Sequence, residues 1–249
     1  MMLLRRVTEH VKNQNWFAVF IDFLIVVVGV FIGIQVANWN AELKDKSAYQ
    51  GALERFKAEV EFNIENLEAL HQELGKTIPL VTLGLDYLRT CDQSEQAKEA
   101  ILTAINEMQI TRGIRLRTNS LVEITTDANL LHQQSSDDRR TFQDLSNLLG
   151  IVQFESDYVE SKPLDIPIWA HPKLTVGQSD IQVVDYKGKE WQFLNRKLLL
   201  NAPIEILCND SELRAQMYGW ERLQSALTSM ISITMDEFRI INELLAKKI

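Results

Sequence analysis

The sequence predicts an all-α protein: one N-terminal transmembrane helix continuing into an elongated, mostly antiparallel helical bundle, with a short irregular or hairpin insertion. Three observations carry that expectation. Residues 17–34 are all apolar or glycine except Asp22. Two later stretches, 41–74 and 211–247, repeat apolar side chains at steps of three and four. Residues 162–203 break that rhythm with Pro163, Pro167, Pro172 and Pro203. The expected organisation is a short cytoplasmic tail over 1–16, a transmembrane helix over 17–38, and an extracytoplasmic helical domain over 39–249 with its irregular insertion at 162–203.

The apolar run comes first. Extended to Ala37 it spans about 30 Å as a helix, enough to cross a bilayer. Trp16 and Trp39 bracket it, as aromatic residues do at membrane interfaces. The exit Gln35-Val-Ala-Asn-Trp-Asn40 offers no small-x-small cleavage site, which argues for a retained signal anchor. Arg5, Arg6 and Lys12 precede the run while Lys44 and Lys46 follow it, a modest bias toward a cytoplasmic N-terminus. Asp22 is the anomaly, because an ionised carboxylate costs about 2.5–3.5 kcal/mol at a bilayer centre and less near an interface. Asp22, Val26, Gly29, Gly33 and Asn40 share one helical face. Gly29-Val-Phe-Ile-Gly33 on that face is a GxxxG, which admits close approach of a second helix. Such a stripe reads as a helix–helix contact; the plainer reading has Asp22 reaching headgroup water and the glycines incidental.

The order of acid, aliphatic run, Gly29, Ile32, Gln35, Asn38, Trp39 and Asn40 resembles the anchor of a family of bacterial single-pass inner-membrane proteins of unknown function. That family's pattern reads acid, aliphatic run, then Gly-Ile-x-Ile-Ala-x-Gln-x-Asn-Asn-Trp-Asn. The departures here are Asp22 in place of glutamate, Gly33 in place of alanine, and Val36-Ala37 where an asparagine is usual. The resemblance covers about 20 residues and implies a membrane-anchored helical protein. It implies no activity.

Beyond the anchor, Tyr49, Leu53, Phe56, Val60, Ile64, Leu67, Leu70 and Leu74 form the inner stripe of a long helix, with Gly75 as its expected C-cap. Pro79 then suits the first turn of a separate helix to about Thr90. Ser94 can cap a helix holding Ala97, Ile101, Ala104 and Ile105. Arg112, Arg115 and Arg117 fall in a connection; they could receive an anion, or more ordinarily pair with local carboxylates. Ser120 starts a short helix to about Ala128, and Ser136 or Asp137 caps a longer one with Phe142, Leu145, Leu149, Val152 and Tyr158 or Val159 inside. Lys187-Gly188 suggests a turn within 181–193. Trp169, Tyr186, Trp191 and Phe193 either form a recognition surface or pin the insertion to the helices. Asn209-Asp210-Ser211 opens the last helix, whose seam reads Leu213, Met217, Trp220, Leu223, Leu227, Met230 or Ile231, Thr234, Phe238, Ile241 and Leu245.

Charge and motifs narrow the function. The net charge is −8; Arg5, Arg6 and Lys12 against Glu9 and Asp22 put residues 1–40 at +1, leaving −9 on the remainder. An acidic domain without a basic stripe disfavours nucleic acid. Cys91 and Cys208 could form a disulfide in an oxidising compartment, or remain two buried thiols. No histidine sits at metal-ligand spacing, and no nucleophile elbow, zincin or phosphate-loop motif occurs, so no catalytic residue, metal or cofactor is expected. Glu59, Glu61, Glu65 and Glu68 read as a solvated face. The first expectation is a bacterial inner-membrane interaction or assembly protein, self-associating or joined to a partner membrane protein through Asp22, Gly29, Gly33, Gln35, Asn38, Trp39 and Asn40. The alternative is an extracytoplasmic ligand-binding or sensory domain signalling through a partner; an anchored hydrolase ranks third.

Overall fold

A seven-residue repeat runs through residues 53–88 of the first helix. Leu53, Val60, Leu67, Leu74, Val81 and Leu88 are all buried. This strict repeat keeps one stripe facing its partners along the whole length. The structure, a computed structural model, describes residues 16–186 and 188–249. Residues 1–15 of the predicted tail, with Arg5, Arg6 and Lys12, and the turn residue Lys187 lie outside the described residues. The chain is mostly helical, with one long apolar N-terminal helix and one small two-stranded sheet.

The elements are α1 (Trp16–Thr90), α2 (Glu95–Glu107), α3 (Asn119–Thr126), α4 (Ala128–Gln133) and α5 (Ser136–Ser161). Two 3₁₀ turns follow, Lys162–Leu164 and Ile168–Ala170, then β1 (Leu174–Tyr186), β2 (Lys189–Leu200), α6 (Ile204–Leu207) and α7 (Ser211–Ala246).

The expected stop at Gly75 does not occur: α1 is continuous over 75 residues with Pro79 inside it. An interior proline costs about 3 kcal/mol through a lost hydrogen bond and a clash with the carbonyl four residues back. Here Leu74 and Val81 are fully buried on either side of it. Burial of each such side chain contributes about 1.5–3 kcal/mol, so packing outweighs the local penalty.

Capping sets the later starts. Ser94 Oγ accepts from the Ala97 N–H at 3.1 Å, as expected of that residue. Ser135, rather than Ser136 or Asp137, caps α5 by accepting from the Asp138 N–H at 3.1 Å. Inside α5 it is Val159, not Tyr158, that is buried. Glu59 departs from the solvated face expected of it. Only 8% exposed, its carboxylate accepts from the N–H groups of Ser120 at 2.9 Å and Leu121 at 3.2 Å. It therefore caps α3 from a different helix.

The helices α1 and α7 run in opposite directions. Gln50 donates to the Lys248 carbonyl at 3.0 Å, Glu68 pairs with Arg239 at 3.2 Å, and Thr82 donates to Glu221, so rising numbers on one helix meet falling numbers on the other. The α7 seam follows the predicted spacing except at one place: Gln224, not Leu223, is fully buried. The core divides there. One cluster joins residues 52–74 of α1 to α3, α5 and the C-terminal half of α7. The other joins Val81 and Leu88 to α2, Ile168, the base of the strands, α6 and the start of α7.

The insertion is an antiparallel ribbon longer than the predicted one. Leu174 pairs with Leu200 at the base and Tyr186 with Lys189 at the tip, with a register shift between Val176 and Ser179. Asn106 fastens its base to α2, donating to the Leu198 carbonyl at 3.1 Å and accepting from the Leu198 N–H at 2.8 Å.

Candidate functional site

Four places combine exposed or polar chemistry: the exposed apolar stretch of α1, the ribbon, the junction at the start of α7, and a cavity beside that junction.

Every anchor candidate lies on the exposed N-terminal part of α1. At about 100° per residue, Asp22, Gly29, Gly33 and Asn40 fall within a narrow stripe. Gln35 and Asn38 fall on the opposite side, and Trp39 about a quarter turn away. The helix thus does not bring all seven together. A Cβ added to Gly29 or Gly33 would meet nothing within 4 Å, so the stripe is sterically open. The only candidate membrane span among the described residues lies in this helix, and its apolar window is wholly unburied.

The ribbon leaves apolar side chains on both faces. Paired residues share a face, so Ile181, Leu194 and Val183 lie on one side and Val184, Trp191 and Phe193 on the other. Trp191 is 59% exposed and Phe193 48%, so neither pins the insertion to the helices. Among the described residues, neither outer edge of the two-stranded sheet carries a further strand.

At the junction, Cys91 and Cys208 are joined by a disulfide with their Cα atoms 5.3 Å apart, tying the end of α1 to the residues just before α7. Two residues on, Asp210 caps α7 by accepting from the N–H groups of Glu212 at 3.0 Å and Leu213 at 3.1 Å. The same carboxylate pairs with Lys173 at 2.6 Å and faces His171 Nε2 at 3.5 Å. Burial alone would raise the Asp210 pKa. The Lys173 ammonium, the Leu213 N–H and the neighbouring His171 charge outweigh that and hold it at about 2. His171 Nδ1 accepts from the Lys173 N–H at 3.3 Å, which leaves Nε2 as the ring nitrogen facing Asp210. The arrangement locks the base of the ribbon to the start of α7.

The three arginines of the connection are engaged. Arg112 pairs with Glu73 at 2.6 Å and Glu107 at 3.5 Å. Arg115 pairs with Asp157 at 3.0 Å and with Glu160. Arg117 lies over the Phe62 ring, 3.3 Å from its centroid. Among the described residues, no group of three His, Cys, Asp or Glu side chains gathers to hold a metal.

The cavity was not legible in the sequence. It measures about 410 Å³ and lies between α7, the end of α2 and residues 162–168. Met108, Ile168 and Trp220, all buried, form its floor. Lys162, Asp165 and Glu212 are its charged lining residues. Two further lining residues carry buried polar atoms with no partner among the described residues: the Trp220 indole N–H and both amide atoms of Gln216. Such a group costs about 1–3 kcal/mol. A stretch of prolines hinted that residues 162–168 were irregular, but nothing in one dimension showed what they would cover.

Comparison with known proteins returned no matching family model, no matching curated protein and no matching solved structure.

Proposed function

We propose that this chain is a membrane-anchored interaction or assembly protein. In this reading residues 17–38 cross the bacterial inner membrane with the N-terminus cytoplasmic, and residues 39–249 form an antiparallel helical bundle in the periplasm. The anchor helix associates with a second copy or with a partner's membrane helix through the stripe of Asp22, Gly29 and Gly33. The observation that carries the proposal is the unburied apolar window of α1 with both glycines of that stripe sterically open. A contiguous apolar surface of that size is not stable in water, and small residues favour close helix packing in lipid. The disulfide between Cys91 and Cys208 supports an oxidising compartment for the domain. The anchor's resemblance to single-pass inner-membrane proteins supports the same placement, and we propose membership of that family.

The ribbon supplies a second contact surface in this reading. Its exposed Trp191, Phe193, Ile181 and Leu194 and its unpaired backbone edges suit an extended segment of a partner protein. Lipid is a poor match. From Asn40 to Val81, against which the ribbon base packs, α1 rises about 60 Å. The ribbon is about 43 Å long, too short to reach back to the membrane along the helix.

The test is native mass of the full-length protein in mild detergent, beside Gly33→Leu. The expected result is a defined complex in the parent and its loss in the variant, with helicity unchanged. The same mass in both would remove the stripe from the proposal.

A further inference from the structure

We infer that the cavity beside the start of α7 is a binding site for a small amphipathic amine, a molecule with an apolar body, an oxygen acceptor within it and a cationic end. This goes beyond the assembly reading and does not depend on it. A volume of about 410 Å³ lies within the usual range for small-molecule sites, roughly 300–1,000 Å³. The lining has the composition of such sites, apolar with few polar groups: Met108, Ile168, Trp220 and Leu223 against Gln216. The unpartnered Trp220 N–H asks for an acceptor, and the Gln216 amide can donate or accept. That sets the oxygen within the apolar body.

The charged lining residues set the sign of the end group. Lys162 and Asp165 neutralise one another at 2.6 Å. The Glu212 carboxylate pairs with none of the described residues, so the lining carries one uncompensated negative charge. A cation matches that charge and an anion is repelled by it.

Gly219 makes the inference testable without breaking the fold. It lines the cavity, and a Cβ there would meet nothing within 4 Å. A larger side chain grows into the cavity, and leaving glycine in a helix interior favours the helix.

The experiment is calorimetric titration of the full-length chain in lipid nanodiscs with 2-(octyloxy)ethylamine, with octyloxyacetate as the anion bearing the same tail. Empty nanodiscs correct for uptake by lipid. The expected results are amine binding at least ten-fold tighter than the anion, and at least ten-fold weaker amine binding in Gly219→Leu with a melting temperature no lower than the parent's. Glu212→Gln, an exposed change, should cut the preference for amine over anion at least three-fold. Equal amine affinity in parent and Gly219→Leu would overturn the site. Equal affinity for amine and anion in the parent, or an unchanged preference in Glu212→Gln, would overturn the assigned ligand class. Should Gly219→Leu unfold, Ala215→Phe on the exposed rim blocks the same space and is held to the same outcomes.

Discussion

Cys91 shows how one residue can serve two demands. It has φ of 55°, the only positive value among the described non-glycine residues. The Asp92 N–H bonds the Tyr87 carbonyl at 3.3 Å, five residues back, so Cys91 is the left-handed residue that closes α1. Glycine is usual there because a side chain costs about 1–2 kcal/mol in that conformation. Cysteine is retained because it also reaches Cys208. The cost becomes measurable once the disulfide is gone. The double variant Cys91→Gly/Cys208→Ala should be more stable than Cys91→Ala/Cys208→Ala by about 1 kcal/mol in urea unfolding. Equal stability would show that the left-handed conformation belongs to the disulfide and not to the helix end. The sequence ends a separate short helix from Pro79 near Thr90, which is where the continuous α1 stops, yet no glycine signals it.

Between elements, contact distance decides what a residue can be. Where α1 crosses α2, a Cβ on Gly84 would collide with the Ala104 Cβ and come within 3.1 Å of the Ala100 carbonyl. Gly84→Ala should therefore destabilise the protein by about 1–3 kcal/mol, despite alanine's better helix propensity. Gly150→Ala on α5 is the control, since nothing lies within 4 Å of its Cβ. There the same substitution should stabilise by about 0.4–1 kcal/mol. Thermal unfolding of the two variants separates a packing role from a backbone one, and a gain in both would dismiss the close crossing. Periodicity predicted both helices but could not show which glycine touched a neighbour. The same limit hid the buried Gln224: its neighbour Leu223 suits an apolar seam better by composition, but the strict alternation of steps places Gln224 inside.

For the molecule as a whole, Asp210 joins the ribbon base, His171 and the start of α7 two residues from the disulfide. Its pKa falls from an ordinary 3.8 to about 2 in the folded chain. A carboxyl depressed in this way contributes stability that is fully present above pH 3.8 and is lost as pH falls toward 2. The contribution is on the order of 2 kcal/mol. Asp210→Asn should lower stability at neutral pH and flatten the acid limb of the stability profile between about pH 4 and 2. A variant that keeps the parent's acid limb would assign that loss to other carboxylates.

The helical class, the apolar N-terminal helix, the long seams of α1 and α7 and the irregularity after residue 161 were all readable in one dimension. Each depends on side-chain periodicity or on backbone restriction by proline, which are local properties. The unbroken passage through Pro79, the capping of α3 by Glu59, the exposure of Trp191 and Phe193 and the cavity against Trp220 were not. Each of these depends on which surfaces meet across long sequence separations. Burial of Leu74 and Val81 overrides a local helix-breaking signal, whereas Trp191 and Phe193 find no helix face among the described residues to cover them.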